Sequence, residues 1–406
     1  MLGLTLEGGG AKGAYHIGAW RAFRELGIEF DGITGTSVGA LNGALMIQDD
    51  FDTAWDIWYN INPGDVMKVD EKTIELIGEY QITTEHLNIL YDEFKRVIKG
   101  SGIDITPLEL MIKRNLKEDK LRSSKKDFGF VTVCLTDRKP LEIFKEDVPY
   151  GKMAEYLMAS ANLPIFKGKK IEGKSFLDGG FYDNLPMEML YRRGYKKIIA
   201  VRVMAMGRVR RLKYDDLEII NIIPNRKLGL MLEFTKERSR TNMALGYLDT
   251  MKTLKNLKGN DYYIDYDFQD DEAIEFFKSF NTKTITNLAK ILKLNNQKTK
   301  EALLMEDIIP RIAKLMNIKK ENAYSEILVG MVEHMAAYKN IDPLKIYTIK
   351  DLLGQVYHEA TNDLQENERK DYEVIEEIFI RLNKEKLLTE ALKVIFTTRN
   401  AYTVGN

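Results

Sequence analysis

The stretch ITGTSVGALNG, residues 33–43, holds a serine with glycines two residues away on each side. Gly35-x-Ser37-x-Gly39 is the spacing of a serine carried on a sharp strand-to-helix turn, where its oxygen is free to attack a carbonyl. A hydroxyl is a weak nucleophile and needs a base to take its proton. Two other segments could take part. EGGGAKGA, residues 7–14, offers successive backbone N–H groups unobstructed by side chains, just before a helix. Such preformed donors, helped by the helix dipole, can meet the negative charge that develops on a carbonyl oxygen during acyl transfer. FLDGGFYDNLP, residues 176–186, puts Asp178 after an apolar pair and before Gly179 and Gly180. Together the three segments could perform acyl transfer through a serine ester.

Each segment has a second reading. Gly8, Gly10 and Gly13 also fit G-x-G-x-x-G, which would make the chain a nucleotide-binding oxidoreductase. That fingerprint asks for an acid about 20 residues later, at the end of the second strand. Glu29 and Asp31 stand at roughly that distance but precede the strand-like ITGT. No Gly-Lys-Ser/Thr follows, so a Walker loop is excluded. A tight turn that merely needs glycine is the remaining alternative. Ser37 could be a helix N-cap, and an Asp-Gly-Gly taken alone favours an aspartate bonding its own backbone. The strand before Ser37, the helix after it and the glycine loop upstream favour the nucleophile, with the Val38 N–H aimed at the same point as the serine oxygen.

The α/β-hydrolase order would be serine, acid, histidine, yet the chain has only four histidines. His16 lies ahead of the serine, His86 starts an amphipathic helix, and His334 and His358 fall mid-helix beside apolar stripes. None stands on a loop after a strand, where it could reach an elbow. Asp178, at a strand end and freed by two glycines, is the better candidate. In DNLP, Asp183 or Asn184 is expected to cap the helix that follows.

These residues need elements to hold them. Strand-like runs are Leu2–Leu6, Ile33–Thr36, Phe128–Leu135, Leu141–Phe144, Phe176–Leu177, Ile198–Val203, 218–224 and 261–267. Helical runs over 12–26, 38–48, 84–98, 108–117 and 152–161 lie between them. Of 29 glycines, 22 fall in residues 1–200, as tight turns between such elements require. Alternation of this kind predicts a mostly parallel sheet covered on both faces. From about 271 the pattern becomes successive amphipathic helices, with stripes such as Tyr324, Ile327, Leu328, Met331, Val332 and Met335, then Val374, Ile375, Ile378, Phe379 and Leu382, and Leu387–Phe396. These stripes are expected to pack against each other. The expected domains are 1–270 and 271–406.

Composition narrows the function. At 406 residues and 44% hydrophobic, the chain can bury a large core. A net charge of −1 argues against a nucleic-acid partner. The single cysteine, Cys134, can form neither an internal disulfide nor a cysteine zinc site, which fits a reducing compartment. No signal peptide and no run of about 20 apolar residues is seen, so a cytoplasmic protein is expected, with membrane contact limited to the surface.

GGGAKG, GTSVG and DGG, in that order, resemble the patatin-like phospholipases and lysophospholipases. The likeness runs through AYHIGAWRAFRELGIEFDGITGTSVGALNGAL, VCLTDRKPLEIF, SANLPIF and FLDGGFYDNLP, and continues weakly to about residue 256. It implies a three-layer α/β/α core and a serine–aspartate dyad without histidine: Ser37 as nucleophile and Asp178 as general base. Gly9 and Gly10, with Gly8 and Val38, would supply the oxyanion donors. Lys12, Gly13, Gly35, Gly39, Gly179 and Gly180 would support the geometry. The implied chemistry is calcium-independent ester hydrolysis of a phospholipid or lysophospholipid through an acyl-enzyme, with no metal and no cofactor. LPIFKGKK departs from the Pro-Gly or Pro-Leu step of many relatives. Residues after about 270 lie outside this likeness, and a partner-binding protein with gated or vestigial esterase activity is a further alternative. Lys12 either holds the loop or steers an anionic headgroup. RVRRLK, residues 208–213, is either a solvated loop or a contact for anionic lipid. A dyad has a physical cost: an ordinary Asp, pKa ~3.9, is a weaker base than His, ~6.5, by about 3.5 kcal/mol of proton affinity. Burial beside an apolar strand would recover part of this.

Overall fold

The computed structural model describes residues 1–68, 102–168, 170–266, 269–295, 297–319, 323–367 and 384–397. The helix expected over 84–98 with His86, and the stripe from Val374 to Leu382, lie outside these residues. The chain divides into two compact units, Met1–Leu254 and Lys255–Asn406.

The first unit is built on a seven-stranded sheet. Its strands are β1 (Leu2–Leu6), β2 (Gly32–Thr36), β3 (Asp127–Cys134), β4 (Lys139–Phe144), β5 (Phe176–Asp178), β6 (Lys197–Val201) and β7 (Glu218–Ile222). The order is β4-β3-β2-β1-β6-β7, with β5 paired to β3. Every pairing from β3 through β7 along that path is parallel, while β4 and β5 run antiparallel to β3. The central strands are buried nearly throughout, which explains their continuous apolar runs. Helices flank the sheet in the expected three-layer α/β/α arrangement. Among them are α1 (Ala14–Glu25), α2 (Val38–Ile47) and α3 (Phe51–Asn60).

Two of the longer helices here fall outside the helical runs expected from the sequence. One is α3. The other spans Lys236–Lys255 and buries Ser239, Asn242, Gly246 and Thr250 among its apolar residues. Polar and glycine residues on the inward face hide the 3.6-residue pattern.

The registers explain how Ser37 and Asp178 meet. β4 occupies one edge of β3 from Gly129 to Cys134. On the other edge β2 pairs up to Thr36, opposite Val131. Beyond that point β5 takes over the same edge from the opposite direction, with Asp178 opposite Thr132. β2 and β5 thus end head to head in one lane. The residue leaving β2 is Ser37 and the last residue of β5 is Asp178.

The second unit is a helical body with its own core. Ile327, Leu328, Met331, Val332 and Met335 of the helix Tyr324–Tyr338 are buried there, with Leu388, Ala391, Leu392, Ile395 and Phe396 of the helix Lys384–Thr397. These two stripes are therefore packing surfaces. The run at 261–267, expected as a last strand of the α/β sheet, instead gives β8 (Tyr263–Asp265), which pairs in parallel with β9 (Ile346–Thr348) inside this unit. Among the described residues no helix is long and apolar enough to cross a membrane.

Candidate active site

Ser37 sits between β2 and α2 with φ 55° and ψ −127°, a backbone conformation that side chains avoid unless their surroundings impose it. The surroundings do so. A Cβ on Gly35 would strike the Gly39 carbonyl, and one on Gly39 would strike the Leu6 carbonyl, so the turn closes only with glycine at both positions. The Ser37 N–H donates to Ser160 Oγ at 3.0 Å, and that hydroxyl donates to the Val131 carbonyl at 2.6 Å.

The glycine loop reaches the same point. Gly10 has φ 58° and lies against the Met231 carbonyl, which also accepts from the Ala11 N–H at 2.7 Å. Among the described residues the N–H groups of Gly9, Gly10 and Val38 have no protein acceptor. Gly8 differs from expectation: its N–H donates to the Asn184 carbonyl at 3.1 Å, so it is not available to an oxyanion. Asn184 Nδ2 returns a bond to the Gly8 carbonyl at 3.1 Å. Asn184 is therefore a clasp between glycine loop and acid loop. Neither Asp183 nor Asn184 caps the next helix, which begins at Met187 with Pro186 before it.

Lys12 reaches the segment after β6. Its Nζ donates to the Met204 carbonyl at 3.4 Å, and burial lowers its pKa. The buried Glu7 carboxylate accepts from the Val203 and Met204 N–H groups at 2.7 and 3.0 Å and pairs with Arg202. Lys12 and Glu7 together hold the segment after β6. Gly13 lies against Val38 and the Trp58 ring, and Gly179 against the Val131 carbonyl.

Asp178 is 3% exposed. Its Oδ1 accepts from the Gly180 N–H at 2.8 Å, while Oδ2 is buried without a hydrogen-bond partner. Burial pushes the carboxyl up to about 6, against the opposing pull of the Ser37 hydroxyl and the Gly180 N–H. Among the described residues, the Ser37 hydroxyl is the one side chain that pulls on this carboxyl, without the geometry of a formed hydrogen bond to Oδ2. The strand carrying Asp178 is pinned by Asn162, whose carbonyl accepts the Asp178 N–H at 2.8 Å and whose Nδ2 donates to Phe176 at 2.7 Å. The run at 208–213 braces the acid loop: the Arg208 N–H donates to Gly180 at 2.9 Å, and Arg210 pairs with Glu142 and Glu188.

Of the four histidines, His86 is outside the described residues. His16 is buried beside Asn42, and burial pushes its pKa down to about 3. His334, in the second unit, bonds Thr389 at 2.9 Å, and His358 is exposed there near Glu359. Asp31, the acid nearest the dinucleotide spacing, accepts from the Leu2 N–H at the start of β1. Because β1 and β2 are parallel neighbours, Asp31 is at the opposite end of these strands from the glycine loop, where a ribose-binding acid of the dinucleotide fingerprint would not be. Among the described residues no three His, Cys, Asp or Glu side chains are grouped to hold a metal.

From Ser37 an apolar pocket runs along α2. Val38, Leu41, Leu45, Trp58, Met111 and Phe234 are among its walls, and it holds about 880 Å³ of atom-free space including its open mouth. A strained serine, a buried carboxyl facing it, three N–H groups without a protein acceptor and an apolar pocket are the parts that acyl transfer from an ester would use. Ser160, Asn162 and Asn184 were not singled out as site residues. Two of them lie within SANLPIF and one within DGGFYDN, segments already marked by their likeness to a family, but side-chain-to-backbone bonds leave no periodic trace.

The patatin-like phospholipase family model matches residues 4–191. The chain is 30% identical over 274 residues to the lysophospholipase NTE1 of Candida glabrata and 28% identical over 276 residues to that of Eremothecium gossypii. Each match covers 63% of this chain but only 14% and 16% of those proteins, so the chain spans about one sixth of their length or less. Among solved structures, VipD from Legionella pneumophila aligns over 97% of this chain and 89% of that one, with a TM-score of 0.39 and 15% identity.

Proposed function

Residues 4–191 belong to the patatin-like phospholipase family, and from that premise we propose that the chain is a lipid acyl hydrolase acting on phospholipids or lysophospholipids through a Ser37–Asp178 dyad. The observation that carries this reading is the head-to-head meeting of β2 and β5, which sets a strained serine against a buried carboxyl held at about 6. That value is close to the ~6.5 of an ordinary histidine, so the dyad's deficit in basicity is largely removed.

In the proposed cycle, Ser37 Oγ attacks the ester carbonyl and its proton passes to Asp178 Oδ2. The N–H groups of Gly9, Gly10 and Val38 receive the oxyanion, each worth about 2.7–4 kcal/mol when removed. Asp178 then protonates the departing alcohol, the glycerol-containing fragment. Water, deprotonated by Asp178, cleaves the acyl-enzyme and releases the fatty acid. The acyl chain occupies the pocket along α2 throughout. No step calls for calcium. The second unit has no assigned part in this chemistry, and peripheral membrane contact fits an enzyme whose substrate resides in a bilayer.

The test is a fluorophosphonate label followed by hydrolysis of a lysophospholipid. The wild type is expected to label at Ser37 and to release fatty acid with chelator present. Ser37→Ala is expected to lose both, by about a thousandfold or more in turnover. Labelling at another residue, or turnover surviving in Ser37→Ala, would refute the assignment.

A further inference from the structure

Asn42 lies on α2 five residues after Ser37, lines the apolar pocket and is 1% exposed. Its Oδ1 accepts from Trp58 Nε1 at 2.9 Å. Its Nδ2 donates to the Gly13 carbonyl at 2.9 Å and lies 3.3 Å from His16 Nδ1. The amide oxygen faces an obligate donor and the amide nitrogen faces an obligate acceptor, so the side chain has one orientation. His16, with its pKa near 3, stays neutral and takes the second amide hydrogen on Nδ1.

Those partners belong to three different parts of the site. Gly13 closes the short turn that starts at Gly10, so fixing its carbonyl fixes the oxyanion loop against α2. Trp58 belongs to α3 and forms a pocket wall, stacked on Phe234 with ring centres 6.4 Å apart. The loop and the wall also touch: a Cβ on Gly13 would come within 3.0 Å of the Trp58 ring.

We propose that Asn42 is a positioning residue through which an acyl chain in the pocket steadies the oxyanion loop, so that chain length is read in turnover as well as in binding. The proposal rests on the acyl-hydrolase reading above. A chain that fills the pocket presses on Trp58 and limits its motion. Trp58 holds Asn42, and Asn42 holds Gly13. The Gly9 and Gly10 donors are then best ordered when the pocket is full. Binding energy from a remote part of the substrate is thereby expressed at the reacting centre, which raises kcat instead of only lowering KM.

The experiment measures kcat and KM for p-nitrophenyl acetate, hexanoate and decanoate with the full chain as wild type, Asn42→Ala and Trp58→Phe. Trp58→Phe removes the N–H donor and keeps a smaller aromatic wall, so it carries the test if Asn42→Ala does not fold. In the wild type, kcat for decanoate is expected to exceed that for acetate by roughly tenfold. In either variant the ratio should fall towards one while KM still drops with chain length. A purely structural role would lower kcat by the same factor for every ester and leave the ratio intact, which overturns the coupling. A wild-type kcat independent of chain length overturns it equally. The parent reading fails differently: the wild type then cleaves no ester and takes no fluorophosphonate on Ser37.

Discussion

Asp178→Asn separates two consequences of burying one carboxyl. The amide has nearly the same shape, and its oxygen can still accept from the Gly180 N–H, but it neither ionises nor takes up a proton. In the folded protein the Asp178 pKa is raised from 3.8 to about 6. Between those values the folded state holds a proton that the unfolded chain has released. The carboxyl therefore favours folding fully below about pH 4, and that contribution is lost as pH rises through about 6. Above pH 6 the folded wild type carries a penalty of up to about 3 kcal/mol, taking ~1.36 kcal/mol per pH unit over the interval. The amide carries none. Asp178→Asn is therefore expected to be more stable than wild type at pH 7.5, by up to about 3 kcal/mol. For a domain of this size that corresponds to a Tm gain of roughly 6–12 °C. The gain should shrink to nothing by about pH 4. Loss of the base should at the same time lower kcat/KM by about 10²–10⁴-fold, while wild-type kcat/KM falls as pH drops below about 6. Thermal melts from pH 4 to 8, paired with ester hydrolysis by the same preparations, give both readouts. A variant less stable than wild type at pH 7.5, or one hydrolysing within tenfold of wild type, would sink this account of the carboxyl.

Two further substitutions probe the frame around the dyad. Gly10→Ala places a methyl group against the Met231 carbonyl at a positive φ; kcat should fall by about 10²–10³-fold as the N–H donors shift, with KM moved far less, and a kcat within threefold of wild type would argue against an oxyanion role for this loop. Ser160→Ala removes the acceptor for the Ser37 N–H and the donor to Val131; denaturant titration should show a loss of about 1–3 kcal/mol, and an unchanged midpoint would mean that the elbow holds its strain unaided.

The sheet and the two residues that meet where β2 and β5 end could be read from the sequence for a physical reason. Parallel strands buried on both faces must be apolar runs, and Leu2–Leu6 is found as expected, residue for residue. Sharp turns at a strand end must carry glycine, so Ser37 and Asp178 stood out by their neighbours. What could not be read was the register. Nothing in FLDGG says that β5 would enter the lane β2 vacates, because that depends on pairing residues more than forty positions apart. Gly8 is a related case. A glycine N–H looks free until a distant carbonyl, here that of Asn184, is found against it. The run at 261–267 had strand composition, but composition does not name the partner, and its partner proved to be Ile346–Thr348.

The lane shared by β2 and β5 also bears on how much of the folded protein is competent at any instant. β5 has three residues and a ladder to β3 alone, whereas β2 is flanked on both sides. Short, singly paired segments open locally at a small fraction of the free energy needed to unfold a domain. Asp178 is carried by the three-residue strand and Ser37 by the doubly flanked one, so local opening of the first would separate the two. Under the proposed dyad, activity would therefore depend on the docking of one short strand, held by Asn162 and Arg208, as well as on global stability.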